Sequence, residues 1–223
     1  EQFSGSSQGS TTFRASADAG YSFTGLGSGN SLDLSGVAAS AATPLVLDTV
    51  AGTVTSSSQL ASFSDITNFN GASAGNTTFL TGSVGGFAFT GQGSGNTLSF
   101  AHVSASGGVQ VFLNQGVAQP GTGSDTFTGV TTIIGSAGSD TFFGGPGNYT
   151  LEGGGGPAAL DDSSAPNPVN VSVNNGTATV TGGFSGTTTA TGVTTFVGSN
   201  GGGNTFAAPA DGGYSFQAPS GTT

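Results

Sequence analysis

The sequence predicts an all-β protein, a parallel β-solenoid of the β-helix or β-roll kind built from units of roughly 64 residues. Three observations lead there. Short pieces rich in Val, Thr, Phe and Ile are cut by glycine every 8 to 12 residues, which is strand punctuation. No window carries a 3.6-residue apolar period with helix caps. A long internal repeat also runs through the chain, and such periods mark stacked architectures. A β-sandwich is the alternative all-β arrangement.

The repeat is plainest at one anchor. "GSSQGSTTF" ends at Phe13, "GASAGNTTF" at Phe79, "GSAGSDTF" at Phe142 and "GSNGGGNTF" at Phe206, spaced 66, 63 and 64 residues apart. Nine or ten residues after each comes a second apolar anchor, at Phe23, Phe89, Leu151 and Phe216. A third follows nine later, at Leu32, Leu98 and Leu160. The expectation is that each anchor lies over its counterpart in the coil below, so that these eleven side chains form structural ladders. Glycine supplies the tight corners, often at positive φ.

The remainder of each unit recurs more loosely. "PLVLDTVAGTVT" (44–55), "GVQVFLNQGVAQ" (108–119) and "NVSVNNGTATV" (170–180) each read as a strand, a turn and a second strand. "SDITNFNG" (64–71), "FTGVTTIIG" (127–135) and "TATGVTTFVG" (189–198) close the units. The chain therefore reads as a single continuous repeat domain over 1–223, about three and a half units, with units ending near 13, 79, 142 and 206. Its opening on Glu1 rather than methionine suggests a segment of a longer repeat protein.

Composition excludes several functions. Charged residues are 5% of the 223, against roughly a quarter in an ordinary soluble domain. The formal charge is −10 and Arg14 is the only strong base, so a phosphate backbone is repelled and nucleic acid is not a partner. With no cysteine there is neither a disulfide framework nor a thiolate metal site. No apolar run approaches the roughly 20 residues of a membrane span, so membrane insertion is not expected.

"GSAGSDTFFGGPGNYTLEGG" (135–154) resembles tandem copies of the glycine-rich nonapeptide of RTX, or haemolysin-type, proteins, and the spacers resemble those of long secreted bacterial β-strand repeat proteins. That resemblance implies a right-handed parallel β-roll whose turn aspartates bind calcium. The family's aspartate stands two residues before an apolar anchor. Here those slots hold Thr11, Thr77, Asp140 and Asn204 before the first anchors. Before the second they hold Tyr21, Phe87, Tyr149 and Tyr214, and before the third Asn30, Asn96 and Ala158. Calcium takes six to eight oxygens, preferably with carboxylates among them, so most of its ligands are replaced. Asp140, Asn204 and Asp125, the last in "GSDTF" (123–127), are the weak metal candidates, and no cofactor is required. The four aromatics in one slot suggest a second stacked ladder.

No enzyme is expected. Asp161 and Asp162 are neighbours on a strand and point to opposite faces, which does not suit a paired-carboxylate glycosidase. Asp33, at the matching place of an earlier unit, reads as a turn former. His102 is the only histidine and no G-x-S-x-G elbow accompanies it. "GLGSGN" and "GQGSGN" lack the lysine of a phosphate loop. Threonines such as Thr177 and Thr179 suggest a flat ice-binding face, but "GVAQ" breaks that pattern in the middle unit. Sequons begin at Asn76, Asn148, Asn170 and Asn175, as chance provides in so Ser/Thr-rich a chain. The expected function is structural: a secreted, cell-surface or extracellular stalk, fibre or adhesin segment that associates with itself or with flanking repeats and contacts a cell surface or polysaccharide. A calcium-responsive module is the alternative, and a carbohydrate-binding or carbohydrate-cleaving β-helix a further one.

Overall fold

The structure, a computed structural model, describes residues 1–16, 19–104, 106–209 and 212–219. Among them there is no helix, and strands of three to six residues join two long sheets. The first sheet runs, in spatial order, Gln2–Ser4, Tyr21–Thr24, Gln59–Ser64, Thr53–Thr55, Leu45–Asp48, Thr77–Leu80, Thr97–Ser99, Thr132–Ile134, Tyr149–Glu152, Thr188–Thr191, Thr177–Gly182, Val169–Asn174 and Thr205–Ala207. The second runs Thr12–Arg14, Ser31–Asp33, Asn68–Asn70, Ala88–Thr90, Asp125–Thr128, Val117–Gln119, Gln110–Phe112, Asp140–Phe143, Ala158–Asp161, Thr195–Val197 and Ser215–Gln217. Neighbours pair in parallel except where Thr53–Thr55, Val117–Gln119 or Thr177–Gly182 is involved.

Those three exceptions mark excursions. Each time the chain enters a sheet ahead of its place, returns along an antiparallel strand, and finishes with a third strand against the last one laid down. Leu45–Asp48, Thr53–Thr55 and Gln59–Ser64 do this in the first sheet. Gln110–Phe112, Val117–Gln119 and Asp125–Thr128 do it in the second. Val169–Asn174, Thr177–Gly182 and Thr188–Thr191 do it in the first again. In the last, Asn174 pairs with Thr177 around Asn175 (φ 48) and Gly176 (φ 79). Two consecutive left-handed residues make the type I′ turn that an Asn-Gly pair favours. Elsewhere the chain crosses from one sheet to the other after every strand.

Apolar side chains point between the sheets and pack as one cluster. In the second sheet, register places Phe13, Leu32, Phe69, Phe89 and Phe127 in one column, and Val111, Phe142, Leu160, Phe196 and Phe216 in its continuation. Opposite it lies a column that includes Phe3, Phe23, Leu47, Phe79, Leu98, Ile133 and Leu151. Rings meet across the core: Phe13–Phe23 at 5.2 Å, Phe79–Phe89 at 5.1 Å and Phe206–Phe216 at 5.1 Å. Such pairs add about 0.5–1.5 kcal/mol each beyond burial.

The anchors do not lie over their counterparts one unit away, as the repeat had suggested. Phe13 and Phe142 belong to the second sheet, Phe79 and Phe206 to the first. From Thr12–Arg14 to Asn68–Asn70 the chain visits the sheets five times, counting an excursion as one visit, so the next unit starts on the other sheet. What stacks is the first anchor on the third of its own unit: Phe13 on Leu32, Phe79 on Leu98, Phe142 on Leu160. Tyr21, Phe87, Tyr149 and Tyr214 form no column of their own for the same reason. Tyr21, Phe87 and Tyr214 lie against the anchor ring two residues on, 5.8, 6.0 and 6.4 Å away.

Candidate functional site

The slot two residues before the first anchor has one job in all four units. Its side-chain oxygen accepts a backbone N–H from its own turn. Thr11 accepts from Ser6 at 2.9 Å, Thr77 from Ala72 at 3.0 Å, Asp140 from Ser136 at 2.7 Å and Asn204 from Ser199 at 2.9 Å. The slot requires an acceptor, not a charge.

Asparagine or aspartate then ties that turn to the next strand. Asn30 Oδ1 accepts from Thr11 N and Asn96 Oδ1 from Thr77 N, both at 3.1 Å. The amide nitrogens donate to carbonyls on either side, Asn30 to Asp65 O and Asn96 to Gln92 O and Gly129 O. In the third unit this position is Ala158, and the backbone carbonyl of Pro157 takes the N–H of Asp140 instead. Asp140 compensates by accepting from Val109 N at 2.8 Å and the Ser136 hydroxyl at 2.7 Å. Asn204 likewise accepts from Val169 N at 2.9 Å. Buried backbone donors are costly to leave unmade, and these side chains satisfy them.

The calcium ligands implied by the resemblance do not fit this arrangement. Asp140 and Asp125 are 2% and 0% exposed, and the oxygens of both are directed at donors. Asp125 accepts from Gly86 N and Phe87 N, both at 3.0 Å, and from the Thr81 hydroxyl at 3.2 Å. Burial pushes its carboxyl up, against the lowering pull of those bonds. N–H hydrogens aimed at the oxygens occupy the lone pairs that a cation needs. The candidates are also apart. Two strands separate Asp125–Thr128 from Asp140–Phe143, about 14 Å at the usual strand spacing. Asn204 leads into the first sheet. Among the described residues no three acidic or histidine side chains gather.

The other titratable groups form isolated pairs. Arg14 Nε lies 3.1 Å from Asp33 Oδ2 on adjacent strands, with the arginine side chain 81% exposed. Burial works to raise the Asp33 carboxyl, but the Ser35 hydroxyl and N–H, then the Arg14 guanidinium, outweigh it and hold it below the usual range. His102 Nε2 is 3.0 Å from Asp48 Oδ2, while Asp48 Oδ1 takes the N–H groups of Val50 and Ala51, both at 2.9 Å. Those bonds likewise prevail over burial and lower Asp48. Among the described residues no hydroxyl hydrogen-bonds the His102 ring.

Asp161 and Asp162 part company. Asp161 accepts from Ser163 N at 2.9 Å, as Asp33 does from Ser35 N at 3.0 Å. Asp162 is 7% exposed, and no described group donates to its carboxylate. Burial, then the charge of Asp161, pushes it up to about 7. It occupies a core slot. Leu34 N donates to Asn70 O, Phe100 N to Ile134 O and Asp162 N to Val197 O, and each of the three then accepts from the residue three places on. Leu34 and Phe100 are fully buried. A small cavity of about 20 Å³, lined in part by Gly145, Gly183 and Phe184, lies beside the carboxylate, room for one water. The aligned pieces "LDLSGV", "LSFAHV" and "LDDSSA" carried this substitution in plain sight.

On the outer face of the first sheet, Thr78, Thr97, Thr132, Thr150, Thr189 and Thr179 stand on adjacent strands in one rank. The "GVAQ" piece does not interrupt it, because Val117–Gln119 lies in the second sheet. Cross-strand threonine pairs are themselves favourable in sheets. No protein-family model matches the chain, and no curated protein matches it.

Proposed function

We propose that the two sheets are opposite walls of a β-solenoid and that the protein is a structural element: a secreted, surface-exposed stalk, fibre or adhesin segment. It joins end to end with copies of itself or with flanking repeats. The observation that carries this reading is how the side chains are spent. Apolar columns run along both inner faces, while Asp140, Asp125, Asn204, Asn30 and Asn96 are consumed in tying turn to turn. Among the described residues, the titratable side chains outside these turns form only isolated pairs, Arg14 with Asp33 and His102 with Asp48, and the Asp161–Asp162 neighbours. The anchor aromatics, which a sugar-binding groove needs at its surface, lie inside except for the half-buried Phe206 and Phe216 on the last two strands.

Electron microscopy combined with circular dichroism tests it. Thirteen strands at about 4.8 Å give a rod roughly 60 Å long, with the same β signal in calcium and in chelator. A large gain of β signal on adding calcium would establish the calcium-responsive module instead, and compact globules would end the solenoid reading.

A further inference from the structure

Most ladder phenylalanines are closed over; apart from Phe63, partly buried beside the first excursion, the exceptions lie at the two ends. Phe23, Phe69, Phe89, Phe127, Phe142 and Phe196 are at most 5% exposed. Phe3, on the first edge strand, is 42% exposed, and Phe206 and Phe216, on the last two, are half-buried. Among the described residues these edges have no partner: Gln2–Ser4 and Thr12–Arg14 at one end, Thr205–Ala207 and Ser215–Gln217 at the other.

We propose that these two end faces are a matched pair and that the occupant of each is a second copy of this chain, docked head to tail. The proposal rests on the solenoid reading above and adds its contact. Gln2–Ser4 of one copy pairs with Thr205–Ala207 of the next, and Thr12–Arg14 with Ser215–Gln217.

Five features fit the faces together. Each end consists of a first-sheet strand followed by a second-sheet strand, so one copy continues both sheets of the other in phase. In each, the two phenylalanines are ten residues apart, Phe3 to Phe13 and Phe206 to Phe216, so the end coils are the same length. All four strands run in the majority direction of their sheets, which makes the new pairing parallel like its neighbours. The rings then repeat a spacing already present inside, where Phe3 stacks on Phe23 at 5.7 Å and Phe196 on Phe216 at 5.9 Å. The same register sets Arg14, whose side chain is 81% exposed, beside the next copy's Gln217, whose amide oxygen can accept from the guanidinium. Unpaired strand edges are templates for such addition. Because the two faces differ, the contact is heterologous, and because they lie at opposite ends of both sheets each copy extends the stack along its length, which generates an open filament. A net charge of −10 per chain opposes the approach, so growth strengthens with salt as that repulsion is screened.

Two variants test it, each placing a charge on one face only: F3D and F216D. Sedimentation velocity at about 0.15 M salt, where the screening length is about 8 Å, is expected to show chains of copies for the parent and monomers for either variant alone. Mixed one to one, the variants keep one good face each and are expected to form a dimer and nothing longer. Circular dichroism confirms that both stay folded; if F216D loses β signal, F206D on the same face replaces it. Growth by either variant alone, or a mixture that stays monomeric, would place the contact elsewhere and overturn the proposal. Parent molecules that remain single rods at high concentration would overturn it too while leaving the solenoid standing, whereas globules would remove both.

Discussion

Asp162 is expected to make the protein lose stability as pH rises from acid to neutral. The perturbation is Asp162→Asn, which keeps shape and removes charge in a slot that is otherwise leucine or phenylalanine. Its carboxyl moves from an ordinary 3.8 to about 7 on folding. The folded chain therefore holds a proton that the unfolded chain releases between those two pH values. Stability tracks the difference in bound protons, so it is fullest below pH 3.8, falls as pH rises to about 7, and is level above. The interval is roughly three pH units at about 1.4 kcal/mol each, a loss of about 4 kcal/mol. The buried Asp125 adds to the fall, since its carboxyl is raised as well. Asp33 and Asp48 act oppositely, but their lowered carboxyls matter only below about pH 4. Urea denaturation from pH 4 to 8, run on parent and D162N, measures the effect. The parent should lose several kcal/mol over that span, and the variant should lose only what Asp125 contributes. Equal pH slopes in the two proteins would refute the reasoning, as would a parent more stable at pH 8 than at pH 5. Asp162→Leu, which restores the residue of the first unit, should gain most at the alkaline end.

Two further substitutions probe the turns. Asp140→Ala leaves the N–H groups of Val109 and Ser136 and the Ser136 hydroxyl without their acceptor; at about 1–3 kcal/mol for a buried orphan, urea melts should show a loss of roughly 2–5 kcal/mol, and Asp140→Asn a smaller one. Gly75 sits at φ +83 with the carbonyl oxygen of Ser94 where a β-carbon would go, whereas Gly20 at φ +90 has open space. G20A should cost only the left-handed penalty of about 1–2 kcal/mol, and thermal melts should show G75A clearly worse because two turns must separate; equal costs would mean that the turns of Gly75 and Ser94 are not in contact.

Much of the fold was legible because apolar residues recur every nine or ten positions and each marks a strand. The antiparallel starts of the excursions were legible too, through alternation and through Asn175–Gly176. Their third strands were not. "QLASFS" (59–64) lacks clean alternation, and its pairing with Thr53–Thr55 slips register between Val54 and Thr55. Missing that strand hides which sheet the chain leaves from, and so hides which anchors stack. The turn residues posed a different difficulty. Asp140 is recognisable as a motif, but its role depends on Val109, 31 residues earlier, arriving with a free N–H. No local pattern encodes that arrival. Asp162 is legible against Leu34 and Phe100, but its adjacency to Asp161 in "LDD" makes it read as half of a carboxylate pair and not as a core slot.

The odd count of sheet visits per unit has a mechanical consequence. Each excursion lays three strands where a plain visit lays one, so it lengthens one wall by two strands, about 10 Å. Were every unit to begin on the same sheet, three excursions would lengthen the same wall by six strands, about 29 Å, and the stack would curve steadily toward the other. With five visits per unit, the excursions fall on the first sheet, the second and the first again, and the finished sheets have thirteen and eleven strands. The mismatch at the end is that of a single excursion, because the second cancels the first. Adding further units in the same pattern would keep it within one excursion however long the array grew. A stalk needs that property and a compact binding module does not, so the parity of the repeat supports the proposed structural role independently of how its side chains are spent.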